Sequence, residues 1–233
     1  MPRLRPFQIR IREIARLLSI AYPSTTLGNR VDPLEEAVFI ILTTQTNERN
    51  YFPTWESFTA AFPKMHMLAH ATEEDIYRAI RTGGLGRWKA KRIYNLLHTV
   101  LDNYHELSLS SLTPFDNLNL EKRLLELDGI GIKTARCIMM YSFKRKVFPI
   151  DTHCARILSR IGIPKVSMSP RSKSYANYIQ NRIPADLRLK LHINLIQHGR
   201  SVCTPHPKCD QCVISHLCSR FSSKGRTNPA LDS

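Results

Sequence analysis

The sequence predicts an all-α protein, and three of its features carry that prediction. Apolar residues recur at the three- and four-residue spacing of amphipathic helices along most of the chain. The segment 34–42 is almost continuously apolar, as in a buried helix, and prolines mark the joints between such segments. The one β-like stretch, 147–150, is too short to indicate a sheet.

The predicted helices can be followed from the N-terminus. Apolar positions between 7 and 18 have helical spacing, and the pattern ends before Pro23. After the apolar segment 34–42, the same spacing returns at 76–80 and at 93–101. Residues 219–233 are polar and lack periodicity, which predicts a loose C-terminal tail.

Composition limits the class of protein. The chain has 233 residues, enough for one large domain or two small ones, and its 42% hydrophobic content excludes a disordered chain. No stretch has the length of a membrane helix, and the Arg-rich N-terminus lacks the apolar run of a secretory signal. We therefore expect a cytoplasmic protein, associated with the nucleoid of a prokaryote. The net charge of +15 predicts a polyanionic partner, although a generally basic surface is the alternative.

Four cysteines form the pattern C-x5-C-x2-C-x5-C and predict a metal centre. They are Cys203, Cys209, Cys212 and Cys218. Thiolates this close in sequence can bind one zinc ion or one iron–sulfur cluster, and disulfides rank last in a chain without a secretory signal. Zinc sites usually combine two short C-x2-4-C pairs, whereas this run has one, so the spacing favours iron–sulfur. The other two cysteines, Cys137 and Cys154, are predicted to be small core residues.

One carboxylate stands out in a strongly basic segment. Asp151 is the only acidic residue between Asp128 and Asp186, and lysines and arginines are frequent around it. Such a segment is typical of a phosphate-binding surface. Asp151 precedes an apolar-periodic run, so it is predicted to cap a helix. It is also predicted to face a developing positive charge, and the two roles can coexist.

Two glycines lie between two helical patterns and predict a turn that binds phosphate. Gly129 and Gly131 flank Ile130, and Thr134 follows in the first turn of the next predicted helix. Backbone N–H groups at such a helix N-terminus can hold a phosphate of DNA, which is the helix-hairpin-helix pattern. A plain turn is the alternative interpretation.

Lys133 begins the second predicted helix of that hairpin. The positive end of the helix dipole and the neighbouring cations favour a neutral amine, which is the form that acts as a nucleophile. A phosphate-binding lysine is the plainer alternative. The ten-residue helix from Lys133 would cover about 15 Å, and the segment after it can return to the same place. Lys133 and Asp151 can therefore face one cleft, as an amine beside a carboxylate.

Taken in order, these motifs resemble endonuclease III, a DNA base-excision glycosylase of the helix-hairpin-helix superfamily. The resemblance covers about residues 7 to 218 and rests on five segments. They are Leu42-Thr43-Thr44-Gln45-Thr46, Gly84-Leu85, the hairpin 127–135, Ile150-Asp151-Thr152-His153, and Leu195-Ile196-Gln197-His198-Gly199-Arg200.

The resemblance implies a two-domain, all-α fold. Residues 34–146 would form a six-helix barrel domain with the hairpin. Residues 1–33 and 147–218 would form a domain with a [4Fe-4S] cluster on the four cysteines, and DNA would bind in the groove between the domains. The implied partner is double-stranded DNA that carries a damaged base or an abasic site. The implied activity is removal of oxidised pyrimidines and strand cleavage by a monomeric enzyme.

The resemblance also assigns roles to residues. Lys133 would form a Schiff base, and Asp151 would assist it, with His153 either a partner of Asp151 or a packed helix residue. Gln45 and Leu85 would enter the DNA helix; the plainer alternatives are a helix-terminal polar residue and a buried leucine. The residues predicted to contact DNA are Gln45, Leu85, Arg87, Lys89, Gly129, Ile130, Gly131 and Thr134.

Two other functions remain open at this point. A glycosylase of the same superfamily without lyase activity would have nearly the same motifs. A non-enzymatic DNA-binding protein with a structural zinc would share the basic charge and the cysteines. An adenine-mismatch glycosylase is disfavoured for two reasons. Such enzymes place a glutamate in the segment before the glutamine, whereas residues 37–42 of this chain contain no acid. They also lack a lysine at the position of Lys133.

Overall fold

The protein is described from a computed structural model, which covers residues 6–23, 26–46, 48–163, 169 and 172–222. The all-α prediction is confirmed, since no β-strand occurs within these ranges. The β-like stretch at 147–150 has no regular secondary structure, and the N–H of Phe148 donates to Gln180 Oε1 over 2.8 Å. No helix in the described ranges is long and apolar enough to cross a bilayer.

The described ranges contain eleven α-helices and several short 3-10 turns. The helices are α1 (Pro6–Ala21), α2 (Pro33–Thr43), α3 (Glu48–Ala61), α4 (Glu73–Ile80), α5 (Gly86–Tyr104), α6 (Asn117–Leu125), α7 (Ile132–Tyr141), α8 (Thr152–Arg160), α9 (Lys173–Arg182), α10 (Arg188–Ser201) and α11 (Ser219–Ser222).

The chain divides into two compact units. The hairpin unit contains the described parts of residues 28–145, and the cysteine unit contains those of residues 1–27 and 146–233. The domains implied by the resemblance, 34–146 and 1–33 with 147–218, stay a prediction.

The hairpin unit is built from α2 to α7. Helices α2 and α4 begin at polar residues that cap the first turn: Asp32 Oδ1 accepts from the backbone of α2, and Thr72 and Asp75 form a capping box at α4. The apolar run of α2 is buried along its length, as its composition predicts. Helix α7 packs against α2 and α6, so the second hairpin helix is anchored to the core.

The cysteine unit is built from α1 and α8 to α11. Helix α10 packs against both α1 and α8, and its apolar residues fill the space between them. The segment predicted as a loose tail begins differently from the prediction. Ser219–Ser222 is helical, and the hydroxyl of Ser219 donates to Ile161 O over 3.1 Å. The rest of that segment, 223–233, lies outside the described residues.

Candidate functional site

The hairpin has the geometry that the two glycines predict. Gly129 has a φ of 76°, in the left-handed region that favours glycine, and Gly131 is the N-cap of α7. No side chain caps α7, and a Cβ built on Gly131 would meet no atom within 4 Å. The first turn of α7 therefore opens onto space that a ligand can enter.

Ile130 requires a correction to the predicted DNA contacts. Its side chain is buried, and its N–H bonds to Leu127 O over 3.1 Å. The residue therefore holds the hairpin against the core, because an apolar side chain between two glycines packs inward. Arg92 supports the same turn from α5, where its Nη2 donates to Gly129 O over 2.7 Å.

Lys133 is the second residue of α7, as predicted, and is partly buried. It has an acidic neighbour that the sequence did not single out. The carboxyl of Glu36 in α2 is fully buried and lies within electrostatic range of Lys133. Burial raises the pKa of Glu36 to about 7, while hydrogen bonds from Arg30 and Asn29 and the charge of Lys133 oppose that rise.

Gln45 and Leu85 lie on two exposed turns of the hairpin unit. Gln45 follows the end of α2, and Leu85 immediately precedes α5. Both have a φ of 52°, and the Leu85 side chain is 52% exposed. The alternative of a buried Leu85 is thus excluded, and both side chains are placed where they can meet a ligand.

Lys89 also requires a correction. The sequence predicts that it contacts the DNA backbone, but only 1% of the residue is exposed. Its Nζ donates to Leu42 O over 2.8 Å, to Gly83 O over 3.3 Å and to Thr46 Oγ1. Arg87 remains exposed, with its guanidinium 4.2 Å from the Tyr77 ring centre and 3.3 Å from Glu74 Oε2.

Much of the basic charge that predicts a phosphate-binding surface is used inside the protein. Arg136 is buried and forms an ion pair with Glu121, with an Nε–Oε2 distance of 2.8 Å. Arg145 Nη2 donates to the carbonyls of Thr113 and Phe115. The long side chains reach backbone oxygens, so net charge overstates the charge available to a polyanion.

Asp151 caps α8, as predicted. Its Oδ1 accepts from the N–H of Cys154 over 2.7 Å, and its carbonyl accepts from Ala155 N. The carboxylate is therefore held in one orientation by the first turn of the helix. Lys133 belongs to the hairpin unit and Asp151 to the cysteine unit.

His153 packs against α10. A Cβ on Gly199 would lie 2.7 Å from His153 Nδ1, so glycine is needed for this close approach. Arg156 Nη2 donates to that ring nitrogen over 3.1 Å and to Gly199 O over 2.9 Å. Burial lowers the pKa of His153, and the charge of Asp151 opposes this shift. These contacts agree with the alternative that His153 is a packed helix residue. Its role as a partner of Asp151 stays a prediction.

The four cysteines line one cavity of the cysteine unit. The cavity is bounded by Cys203, Cys209, Cys212 and Cys218 together with Arg160 and Lys208. Arg160 Nη1 donates to Cys203 Sγ over 3.2 Å, and His198 Nε2 lies 3.5 Å from Cys212 Sγ. Burial and the neighbouring thiols raise the pKa of Cys212 to about 11. Among the described residues, no three His, Cys, Asp or Glu side chains converge on the position of a single ion.

The remaining predicted residues lie within helices of the two units. Thr134 is partly buried in the first turn of α7, and Cys137 and Cys154 are buried, as predicted for core residues. Glu36 and Thr46 were not predicted from the sequence as functional residues. A carboxylate inside the apolar run of α2 was a usable signal for Glu36, because a charge there has to be buried or turned away.

Comparisons with known proteins agree with this geometry. The model of the HhH-GPD superfamily base excision DNA repair proteins matches residues 38–182. Endonuclease III of Sulfolobus acidocaldarius is 36% identical over 157 residues, which cover 66% of this chain and 66% of that protein. Endonuclease III of Thermotoga maritima is 27% identical over 217 residues, covering 93% of this chain and 95% of that protein.

Solved structures extend the agreement in fold. A trapped covalent intermediate of endonuclease III with DNA has a TM-score of 0.79 at 23% identity, covering 96% of this chain and all of that one. A thermostable thymine-DNA glycosylase has a TM-score of 0.78 at 18% identity, covering 92% of this chain and 98% of that one. Since the family match spans more than half of the chain and includes the hairpin, Lys133 and Asp151, this protein is an endonuclease III-like member of the HhH-GPD superfamily of base excision DNA repair proteins.

Proposed function

We propose that this DNA glycosylase removes oxidised pyrimidines from duplex DNA and then cleaves the strand through a Schiff base on Lys133. The observation that carries the proposal is the position of Lys133, in the first turn of a helix whose N-terminus no side chain caps. The turn in front of it opens onto free space at Gly131. The endonuclease III relatives support the same reaction class.

The hairpin binds the DNA backbone in this proposal. A phosphate near Gly131 accepts from N–H groups of the first turn of α7, where the helix dipole favours a negative charge. The buried Ile130 keeps the turn rigid, and Arg92 fixes it to α5. These contacts position the strand without reading its sequence.

Base excision requires the damaged nucleotide to leave the stack. Leu85 enters the gap as an apolar wedge, and Gln45 forms hydrogen bonds with the base left unpaired. The exposure of both residues supports these roles. Arg87, which is also exposed, contacts the backbone beside them.

The chemical step combines an amine and a carboxylate. The lone pair of Lys133 forms a bond to C1′ of the sugar while the bond to the base breaks, and the base departs with a proton. The carboxylate of Asp151 stabilises the positive charge that develops on the sugar. Opening of the sugar ring gives an imine, loss of a proton from C2′ expels the 3′ phosphate, and water then releases the enzyme.

We infer that the cysteine cavity would hold a [4Fe-4S] cluster rather than a zinc ion. Four thiols line it, yet they do not converge on one point, and a cuboidal cluster separates its ligands more widely than a single ion does. Cys203, Cys209, Cys212 and Cys218 would hold the cluster. When bound, it serves to fix the segment 203–218, because the reaction needs no electron transfer.

The test of the reaction is covalent trapping. A duplex with one thymine glycol is incubated with the enzyme and borohydride, which reduces the imine to a stable adduct. The wild type is expected to form the adduct, and Lys133→Gln to lose it by about 1,000-fold or more while DNA affinity changes by less than about tenfold. Lys122→Gln, an exposed lysine of α6, serves as the matched control and should keep full trapping.

The alternatives predict other outcomes of the same experiment. Base release without an adduct would indicate a glycosylase without lyase activity. Binding without base release would indicate a non-enzymatic DNA-binding protein. The cluster assignment is tested separately by elemental analysis, which should give about four irons per chain. One zinc per chain would contradict the assignment.

A further inference from the structure

Two exposed turns of the hairpin unit share an uncommon backbone conformation. Gln45 and Leu85 are both left-handed, although neither is a glycine. Such a conformation is unfavourable for an ordinary residue and persists only where the surrounding structure maintains it. Both turns are bonded to one side chain, that of Lys89.

The amine of Lys89 joins the two turns directly. It donates to Thr46 Oγ1, next to Gln45, and to Gly83 O over 3.3 Å, two residues before Leu85. Thr46 Oγ1 closes the set, since it lies 3.2 Å from Gly83 O. The main chain of Lys89 contributes as well, because its N–H donates to Leu85 O over 3.0 Å. We name this set of contacts the Lys89 bridge.

The third bond of the amine anchors the bridge to α2. Leu42 O, in the last turn of that helix, accepts from Nζ over 2.8 Å. A cation at a helix C-terminus satisfies a carbonyl that has no partner within the helix. The three N–H donors of an ammonium group thus match three oxygens on three segments.

The chemistry of the site argues against a purely stabilising role. The residue is 1% exposed, and the three oxygens that the described residues provide are all uncharged. Burying a cation without a charged partner is unfavourable, and burial lowers the pKa of the amine accordingly. One bond to Leu42 O would suffice for a helix cap. The other two bonds connect the turns, which suggests that their relative position is what the lysine secures.

We propose that Lys89 is a positioning residue, which holds the Gln45 turn and the Leu85 turn at one fixed separation so that both side chains enter the DNA duplex together. The inference rests on the proposed function, in which these two residues fill the gap left by the extruded base. Lys89 itself touches no DNA, which distinguishes this role from the one predicted from the sequence.

The test compares two substrates under single-turnover conditions. One is a duplex with a thymine glycol opposite adenine, from which a base has to be extruded; the other carries a preformed abasic site, which needs less unstacking. Lys89→Met keeps the length of the side chain and removes its donors. We expect excision of the thymine glycol to fall about 10- to 100-fold, the effect of a displacement near 1 Å. Cleavage of the abasic site should change by less than about threefold.

A double-mutant cycle separates positioning from general stability. Leu85→Ala alone should show the same selective loss. In the double mutant Lys89→Met with Leu85→Ala, the loss should be well below the product of the two single losses, because both residues act on one step. Lys91→Met, an exposed lysine on the same helix, is the control and should affect both substrates alike. Multiplied losses in the double mutant would overturn the inference.

The remaining outcomes are also decisive. If Leu85→Ala is selective but Lys89→Met slows both substrates equally, the Lys89 bridge has only a structural role. If Leu85→Ala changes neither rate, the insertion role in the proposed function is wrong and the inference falls with it. Should Lys89→Met fail to fold, Thr46→Val removes the hydroxyl from the bridge. It should give a selective loss of about threefold to tenfold, and an unchanged ratio of the two rates would overturn the proposal.

Discussion

Helices α7 and α8 begin in opposite ways, although each carries one residue of the proposed catalytic pair near its N-terminus. Helix α7 starts at Gly131 without a side-chain cap and faces open space. Helix α8 starts at Asp151, whose own carboxylate accepts from the first turn. The dipole of α7 is thus available to an external anion. The dipole of α8 instead interacts with the carboxylate of Asp151, which is proposed to be catalytic.

The difference explains how two similar elements take different tasks. An N-terminus without a side-chain cap is suited to binding a ligand phosphate through its N–H groups. A capped N-terminus fixes a carboxylate, since the same N–H groups restrict its rotation. In the proposed function, the first arrangement positions DNA and the second positions a negative charge.

The largest expected effect concerns the charge at α8. Asp151→Asn keeps a good N-cap and removes the negative charge. Base release should slow by about 100-fold or more, because the positive charge on the sugar loses its partner, while the melting temperature stays within about 2 °C. Single-turnover excision and thermal denaturation measure the two quantities. If the variant loses stability but excises at the wild-type rate, Asp151 is a helix cap alone.

A smaller effect is expected when α7 is given an aspartate N-cap like that of α8. Gly131→Asp would cap the helix and raise the free energy of unfolding by about 0.5–1 kcal/mol. The same carboxylate would repel a phosphate, so the Kd for duplex DNA should rise about tenfold or more. Gly131→Ser caps without charge and should weaken binding less. Unchanged binding in both variants would show that no phosphate approaches this turn.

A third effect, of similar energy, concerns the pH dependence of the hairpin unit. Glu36 has a pKa of about 7 in the folded protein, above its ordinary value, so folding favours its neutral form. Its contribution to stability is present at acidic pH and is lost as the pH rises through about 7. Between about pH 6 and pH 8, the free energy of unfolding of the wild type should therefore fall by about 1.4 kcal/mol more than that of Glu36→Gln.

Tryptophan fluorescence can follow this transition in urea, because Trp55 and Trp88 both belong to the hairpin unit. Glu56→Gln changes an exposed carboxylate of the same unit and serves as the control. Parallel pH profiles for wild type and Glu36→Gln would contradict the buried titration. A steeper profile for Glu36→Gln would do so as well.

The sequence predicts helices and their starts better than it predicts where charges point. Asp151 could be recognised as a helix cap because capping depends on neighbouring residues only. The burial of Lys89 and Arg136 could not, because it depends on oxygens from segments far away in the chain. A long basic side chain has the same composition whether it reaches solvent or a carbonyl, so the charge pattern alone could not distinguish Arg87 from Lys89.

The Lys89 bridge also determines which substitutions can disturb the two turns. Two of its three acceptors, at Leu42 and Gly83, are backbone carbonyls, which every amino acid possesses. Mutations at those positions leave the acceptor in place, and only packing constrains them. The side-chain groups of the bridge are the Lys89 amine and the Thr46 hydroxyl. The side-chain contribution to the bridge therefore comes from two residues, neither of which is proposed to contact DNA.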